Sequence, residues 1–358
     1  MGKRVLIIVS ELQNGGAQRV ASRIAGGMAD LGAEVHVMEF FHPPVSFVMS
    51  EKVILHKMCE NEVEYRKLGQ FARQKKIKEN IITIQPDVII PFLDHVCQKV
   101  LLACFATPYY GRVITTLRNS PYEYGKMKRA VRDFAIHCSR QLAVQNNAQK
   151  EYFVKQRLKR IAVVANPVNV PEMEHIYSDN IVKVVAVGRL NPQKNFAMLI
   201  KAFAAVVQNR KIELKIFGRG ECEQELNELI QKLGMQEQIA LAGYSDNVSA
   251  VYKNADLFVM SSDYEGMPNA LMEAMAEGLP CISTDCETGP SDLIQTGKNG
   301  ILVPVNDENA MTEAILRMCD NAAAAIEMGK CAKEMMRNAY SLPKISEAWL
   351  NAFKDWGL

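Results

Sequence analysis

The chain has 358 residues, 48% of them hydrophobic, enough for about two domains that each bury a core of their own. A net charge of only +2 excludes a protein whose overall charge demands nucleic acid, and no apolar run reaches the roughly 18 residues that a membrane-spanning helix needs. The nine cysteines are scattered, odd in number and free of any Cys-x-x-Cys pair, and the six histidines lack ligand spacing, so reduced cytoplasmic thiols are expected rather than disulfides or a metal centre.

In chain order, Arg4-Val-Leu-Ile-Ile-Val9 reads as a buried parallel strand, with no signal-peptide pattern before it. The Gly-containing loop Ser10 to Arg19 follows, then helical spacing from Val20 to Leu31 that stops at Gly32, then the strand Glu34 to Met38. Apolar runs at 88–92, 113–116, 141–144 and 161–164 alternate with helical stretches, the pattern of an α/β domain with a mainly parallel sheet. After the Pro-containing segment 165–171 the pattern restarts at Ile181 to Val187, which places a domain boundary at 167/168. The second half repeats the logic, with strands at 181–187, 214–217, 239–241, 257–260, 280–283 and 301–303 and helices at 195–207, 221–233 and 247–253. Charge separates along the same line: residues 1–179 hold 25 Lys+Arg against 17 Asp+Glu, and residues 180–358 hold 17 against 23. Two doubly wound domains are thus expected to face each other across a cleft, the first preferring an anionic partner.

Four groups are expected at the carboxyl ends of these strands. Gly15 and Gly16 follow the first strand, where a missing side chain lets backbone N–H groups approach a phosphate. Arg189 and Lys194 lie just past strand 181–187, before a helix N-terminus, a combination suited to a diphosphate. Gly218 and Gly220 in Phe217-Gly-Arg-Gly220 permit close approach of a base or ribose, although a Gly-x-Gly turn is often only a tight connection. Finally, Glu265 and Glu273 stand eight residues apart across a loop-to-helix junction near Pro268, one before the first-turn N–H groups and one more than a turn beyond them.

Together these residues resemble the retaining nucleotide-sugar glycosyltransferases of the GT-B fold, specifically glycosyltransferase family 4. The resemblance spans the chain and is most specific in Gly188-Arg-Leu with Lys194-Asn195, Phe217 to Gly220, Glu265 to Glu273, Gly289 to Ile294 and Gly297 to Val303. It implies an N-terminal acceptor-binding Rossmann-like domain (1–167, with a helix of about 343–358 crossing back) and a C-terminal nucleotide-sugar-binding domain (168–342). It also implies that Arg189 and Lys194 bind the donor diphosphate and that Glu265 contacts donor-sugar hydroxyls, these three being the catalytic set. Glu273 would take the ribose. Gly15, Gly16, Gly188, Gly218, Gly220 and the backbone of Gly266, Met267, Asn269 and Ala270 would line the donor. Many relatives carry a His after the fourth or fifth strand of the first domain; here Arg118, followed by Asn119, stands at that place and becomes the acceptor- or sugar-positioning candidate.

The activity implied is retaining transfer of a sugar, a hexose or N-acetylhexosamine, from a nucleoside diphosphate donor, with uridine the expected base. The acceptor would be a hydroxyl of a glycan or a polyprenyl-diphosphate-linked glycan in surface polysaccharide or glycoconjugate synthesis. With no Asp-x-Asp triplet, neither cofactor nor essential metal is expected. The basic segments Tyr65 to Lys78 and Lys126 to Arg132, interspersed with apolar residues, suit an anionic membrane surface or amphipathic helices docked on the sheet. A non-catalytic nucleotide-sugar-binding partner of another transferase is the alternative; an NAD-dependent oxidoreductase is disfavoured because the first loop lacks Gly-x-Gly-x-x-Gly.

Overall fold

The computed structural model describes residues 2–13, 15–43 and 49–358, so Asn14 of the first loop lies outside the described residues. The chain separates into two compact units, Met1–Pro167 together with Leu342–Leu358, and Val168–Ser341.

The first unit opens on β1 (Arg4–Val9), five of whose six residues are buried. A strand buried on both faces needs helices above and below it, and helical crossovers keep its neighbours parallel. Accordingly β2 (Glu34–Glu39), β3 (Val53–Lys57) and β4 (Val88–Pro91) join it in the order β3-β2-β1-β4, all parallel. A second parallel set, β5 (Ile114–Thr116), β6 (Gln141–Val144) and β7 (Ile161–Val163), is linked to β4 by an isolated parallel bridge between Ile89 and Val113. Sequence reading passes over β3, because this edge strand buries only Val53 and carries no long apolar run. The helix Leu342–Asp355 also belongs to this unit and packs on the helix Gly16–Asp30. Gly27 makes that approach close: a Cβ there would lie 2.2 Å from Ser346 Oγ.

The second unit is a six-stranded sheet of β8 (Lys183–Val187), β9 (Glu213–Phe217), β10 (Ile239–Gly243), β11 (Leu257–Met260), β12 (Cys281–Thr284) and β13 (Ile301–Val303). Its order is β10-β9-β8-β11-β12-β13, every pairing parallel. One face is sealed by Phe196, Leu199 and Phe203 of the helix Phe196–Val206 together with Met311 and Ile315 of the helix Glu308–Asp320. Strand order runs outward in one direction from β8 and in the other from β11, so the loops leaving these two adjacent strands flank a topological switch point, where open α/β sheets take ligands. The unit's two ends meet: Val168 N–H donates to Tyr340 O at 2.9 Å, and Val168 bridges Ser341.

Candidate active site

At the switch point of the second unit, the loop after β8 and the loop after β11 are laced together. Asp263 N–H donates to Gln193 O at 2.9 Å, Gln193 Nε2 to Tyr264 O at 2.8 Å, and Ser261 Oγ to Lys194 O at 2.8 Å. Asn195 adopts the left-handed conformation (φ +44°) that Asn tolerates better than most residues. Its side chain caps the following helix at Met198 N–H, and its Nδ2 donates to Asp263 Oδ1 at 2.7 Å.

This lacing brings two predicted residues into direct contact. Lys194 Nζ lies 2.5 Å from Glu265 Oε1, with side-chain exposures of 15% and 8%. The same Oε1 accepts from Ser262 Oγ at 2.7 Å, and Thr288 Oγ1 donates to the Glu265 carbonyl, which pins the backbone. The bonds to the carboxylate therefore all fall on Oε1, and Oε2 has no protein donor among the described residues. Arg189, also in the loop after β8, is exposed and makes no ion pair among the described residues.

The helix Asn269–Glu277 begins one residue after Pro268, which takes the cap position with φ −78° and offers no side-chain cap. Gly266 and Met267 are buried in the approach, Asn269 and Ala270 are half-buried in its first turn, and Glu273 is half-buried one turn further on. Gly289 (φ +101°) packs across the approach loop, since a Cβ there would stand 2.8 Å from Pro268 Cδ and 2.9 Å from Gly266 O.

The remaining predicted glycines of the unit, Gly188, Gly218 and Gly220, have a packing reason to be there. A Cβ on Gly218 would meet Gly188 O at 1.8 Å, and one on Gly220 would meet Leu190 O at 2.2 Å, so the loops after β8 and β9 run in contact. Gly188 in turn lets the Lys194 stem lie over it, with its side-chain carbons 3.1–3.2 Å from the site of a Cβ. Sequence reasoning missed Ser261, Ser262 and Thr288. The available signal was a pair of hydroxyls directly after an apolar strand, Ser261-Ser262-Asp263.

Gly15, Gly16, Arg118 and Asn119 belong to the first unit. Gly15 caps the helix Gly16–Asp30 just beyond β1 in an extended conformation (φ −159°), with its carbonyl accepting from Arg19 N–H at 3.0 Å. Asn119 is exposed and its carbonyl accepts from Gln149 Nε2 at 3.1 Å. Arg118 is 6% exposed, its guanidinium lying between the rings of Phe92 and Trp349.

The basic segments also part company. In Tyr65 to Lys78, Ile77 is buried and Leu68 packs on the core, leaving Phe71 as the exposed apolar side chain. In the helix Lys126–Cys138, Met127, Val131 and Phe134 form an exposed stripe at helical spacing. Among the described residues no helix is long and apolar enough to cross a membrane.

The family described as Glycosyl transferases group 1 matches residues 182–321, the part of the chain that holds this site. Over nearly its full length the chain is similar to the GalNAc-alpha-(1->4)-GalNAc-alpha-(1->3)-diNAcBac-PP-undecaprenol alpha-1,4-N-acetyl-D-galactosaminyltransferase of Campylobacter jejuni, at 28% identity over 371 residues covering 98% of each chain. It is also similar to the Escherichia coli UDP-Gal:alpha-D-GlcNAc-diphosphoundecaprenol alpha-1,3-galactosyltransferase, at 27% identity over 59% of each chain. Among solved structures, Anabaena HepE in complex with UDP and glucose superposes with a TM-score of 0.80 at 17% identity, covering 98% of this chain and 99% of that one, a likeness of fold.

Proposed function

This chain is a glycosyltransferase with the GT-B fold, and we propose that it is a retaining enzyme that transfers a sugar from a UDP-sugar to a hydroxyl of a glycan or polyprenyl-diphosphate-linked acceptor. The observation that carries this reading is the Lys194–Glu265 pair at the switch point, with the exposed Arg189 in the same loop and a helix start without side-chain cap nearby. Lys194 and Arg189 supply positive charge for a leaving diphosphate, while Glu265 Oε2 is the oxygen left to receive a sugar hydroxyl. UDP as the leaving group, and a lipid-linked glycan as the acceptor, are supported by the names of the related transferases.

In the reaction proposed, the bond from the anomeric carbon to the diphosphate oxygen breaks and a bond to the acceptor oxygen forms on the same face. The acceptor proton passes to the departing diphosphate. No side-chain nucleophile is invoked: Glu265 Oε1 already accepts from Lys194 and Ser262, and Oε2 is assigned to a sugar hydroxyl. Lys194 and Arg189 hold the charge that accumulates on the diphosphate, and this electrostatic work stands in for a metal. Loss of turnover on adding a chelator, restored by a divalent cation, overturns the metal-free part of the reading.

The stripe Met127, Val131 and Phe134, with Lys126 and Lys128 exposed beside it, is the surface proposed to rest on anionic lipid. Calorimetric titration with UDP, followed by assay of donor hydrolysis and transfer, tests the whole proposal. UDP binding that Lys194→Met abolishes along with transfer is expected; tight binding of nucleotides without diphosphate, unaffected by that substitution, sinks it.

A further inference from the structure

Arg118, directly beyond β5 in the first unit, is an uncompensated buried cation. Its Nη1 donates to Asn166 Oδ1 at 3.3 Å, and that oxygen also accepts from Gln145 Nε2 at 2.9 Å. Its Nε and Nη2 are shielded from solvent and have no partner among the described residues. These are the two nitrogens whose N–H bonds point the same way along one edge of a guanidinium, the fork that receives two oxygens of a carboxylate or phosphoryl group. Among the described residues no carboxylate pairs with Arg118. Burial pushes its pKa down to about 9, which keeps it protonated at neutral pH.

The fork is held in place. The Phe92 ring centroid lies 4.7 Å from the guanidinium carbon and that of Trp349 5.4 Å. Trp349 is itself fully buried, and its Nε1 is a further N–H donor without an acceptor among the described residues. Leu93, next to Phe92, keeps a rare positive φ of +75°, so the backbone at this end of β4 is constrained as well. Phe92 follows β4, Arg118 follows β5 and Asn166 follows β7, so the group gathers at the carboxyl ends of the strands, the ligand-binding edge of an open parallel sheet. Buried donors of native proteins are almost always paired, and three donor nitrogens here meet no acceptor among the described residues.

We propose that the Nε/Nη2 edge of Arg118 is a binding site for an oxyanion that presents two coplanar oxygens, with Phe92 and Trp349 fixing the plane of recognition. The oxyanion has two candidate sources, a phosphoryl group or a sugar carboxylate, and the site lies outside the donor contacts proposed above. Its existence does not depend on which sugar is transferred.

The chain has two tryptophans, so Trp356→Phe leaves Trp349 as a fluorescent reporter in contact with the guanidinium. The full-length Trp356→Phe protein is titrated with sodium phosphate and, separately, sodium glucuronate at constant ionic strength. A saturable change in Trp349 emission is expected with at least one of them, and roughly tenfold weaker in Arg118→Lys, which keeps a cation but loses the fork. Saturation by phosphate alone assigns the phosphoryl source, by glucuronate alone the sugar carboxylate, and by both the shared geometry. Absence of a saturable response to either anion overturns the proposal, as does a response equally strong in Arg118→Lys. Arg189→Ala separates this site from the second unit: a response lost there and retained in Arg118→Lys also overturns the assignment.

Discussion

Lys194 Nζ and Glu265 Oε1 are 2.5 Å apart although 71 residues separate them in the chain, and each is the other's charged partner before any substrate arrives. A donor bound as proposed therefore has to share or open this pair. Lys194→Met is expected to lower transfer by roughly 100-fold or more, as loss of a transition-state donor does. It also leaves Glu265 as a buried carboxylate held by Ser262 alone, which costs about 1–3 kcal/mol. Glu265→Gln in the same background should recover part of that stability without recovering activity. A double-mutant cycle on denaturant midpoints measures the coupling, and strict additivity would show that the pair contributes nothing to the folded state.

Arg189→Ala makes the contrasting case. Arg189 is exposed and without an ion pair among the described residues, so its removal should change stability by no more than about 0.5 kcal/mol. Turnover should nonetheless fall, and UDP affinity with it. Unaltered kinetics in a well-folded variant would remove Arg189 from the site.

The difference between these two residues was out of reach of the sequence. The apolar runs announced most strands, and the run Leu257 to Met260 became β11 residue for residue, because strands buried on both faces leave continuous hydrophobic stretches. Lys194 and Glu265 were both singled out, but for separate duties, one for the diphosphate and one for the sugar. Their contact depends on β8 pairing with β11, a neighbour that chain order does not indicate. Burial of Arg118 was illegible for a similar reason, since its cover comes from Trp349, more than two hundred residues away. Gly218 and Gly220 suit close approach of a ligand or a tight connection alike in sequence, and the contact of their loop with the loop after β8 is visible only in the fold.

Gly289→Ala is expected to act on stability and donor affinity together. Its φ of +101° disfavours any side chain, and the new Cβ would press on Pro268 and Gly266, the loop that carries Glu265. Gly297→Ala serves as the control: φ is +85° but nothing lies within 4 Å, so only backbone strain of about 1–2 kcal/mol is introduced. Thermal melts with and without UDP check the pair. Equal loss of UDP affinity in both variants would refute a local effect of Gly289.

Asp94 provides a pH-dependent test in the first unit. Burial, its largest influence, raises the carboxyl from 3.8 to about 6, and its Oδ2 has no partner among the described residues. A raised folded-state pKa means that the folded chain holds the proton more tightly than the unfolded one. The contribution to stability is therefore full below about pH 4 and lost as pH climbs through 6. Asp94→Asn should match the wild type at pH 4 and exceed it by about 1–3 kcal/mol at pH 7. Chemical denaturation across that range checks it, and a constant difference at all pH values would contradict the assignment.

Flotation with vesicles of phosphatidylcholine and phosphatidylglycerol tests the exposed stripe. Phe134→Ser with Val131→Ser should weaken binding at least tenfold with little effect on stability, because both side chains are already exposed, at 72% and 56%. Phe71→Ser should matter less, since Phe71 stands 93% exposed without an apolar neighbour on its own helix turn. If neutral vesicles bind as well as anionic ones, the basic residues beside the stripe have no part in it.

The hydrogen bond from Val168 to Tyr340 means that the second unit leaves and re-enters the first at adjacent points. The second unit, to which the proposed function assigns donor binding, is therefore a segment inserted between Pro167 and Leu342. A replacement of similar build needs only two splice points, after Pro167 and before Leu342, and leaves the sequence around Arg118 untouched. On the proposed division of labour, recombination at those two points would change the sugar while keeping the acceptor.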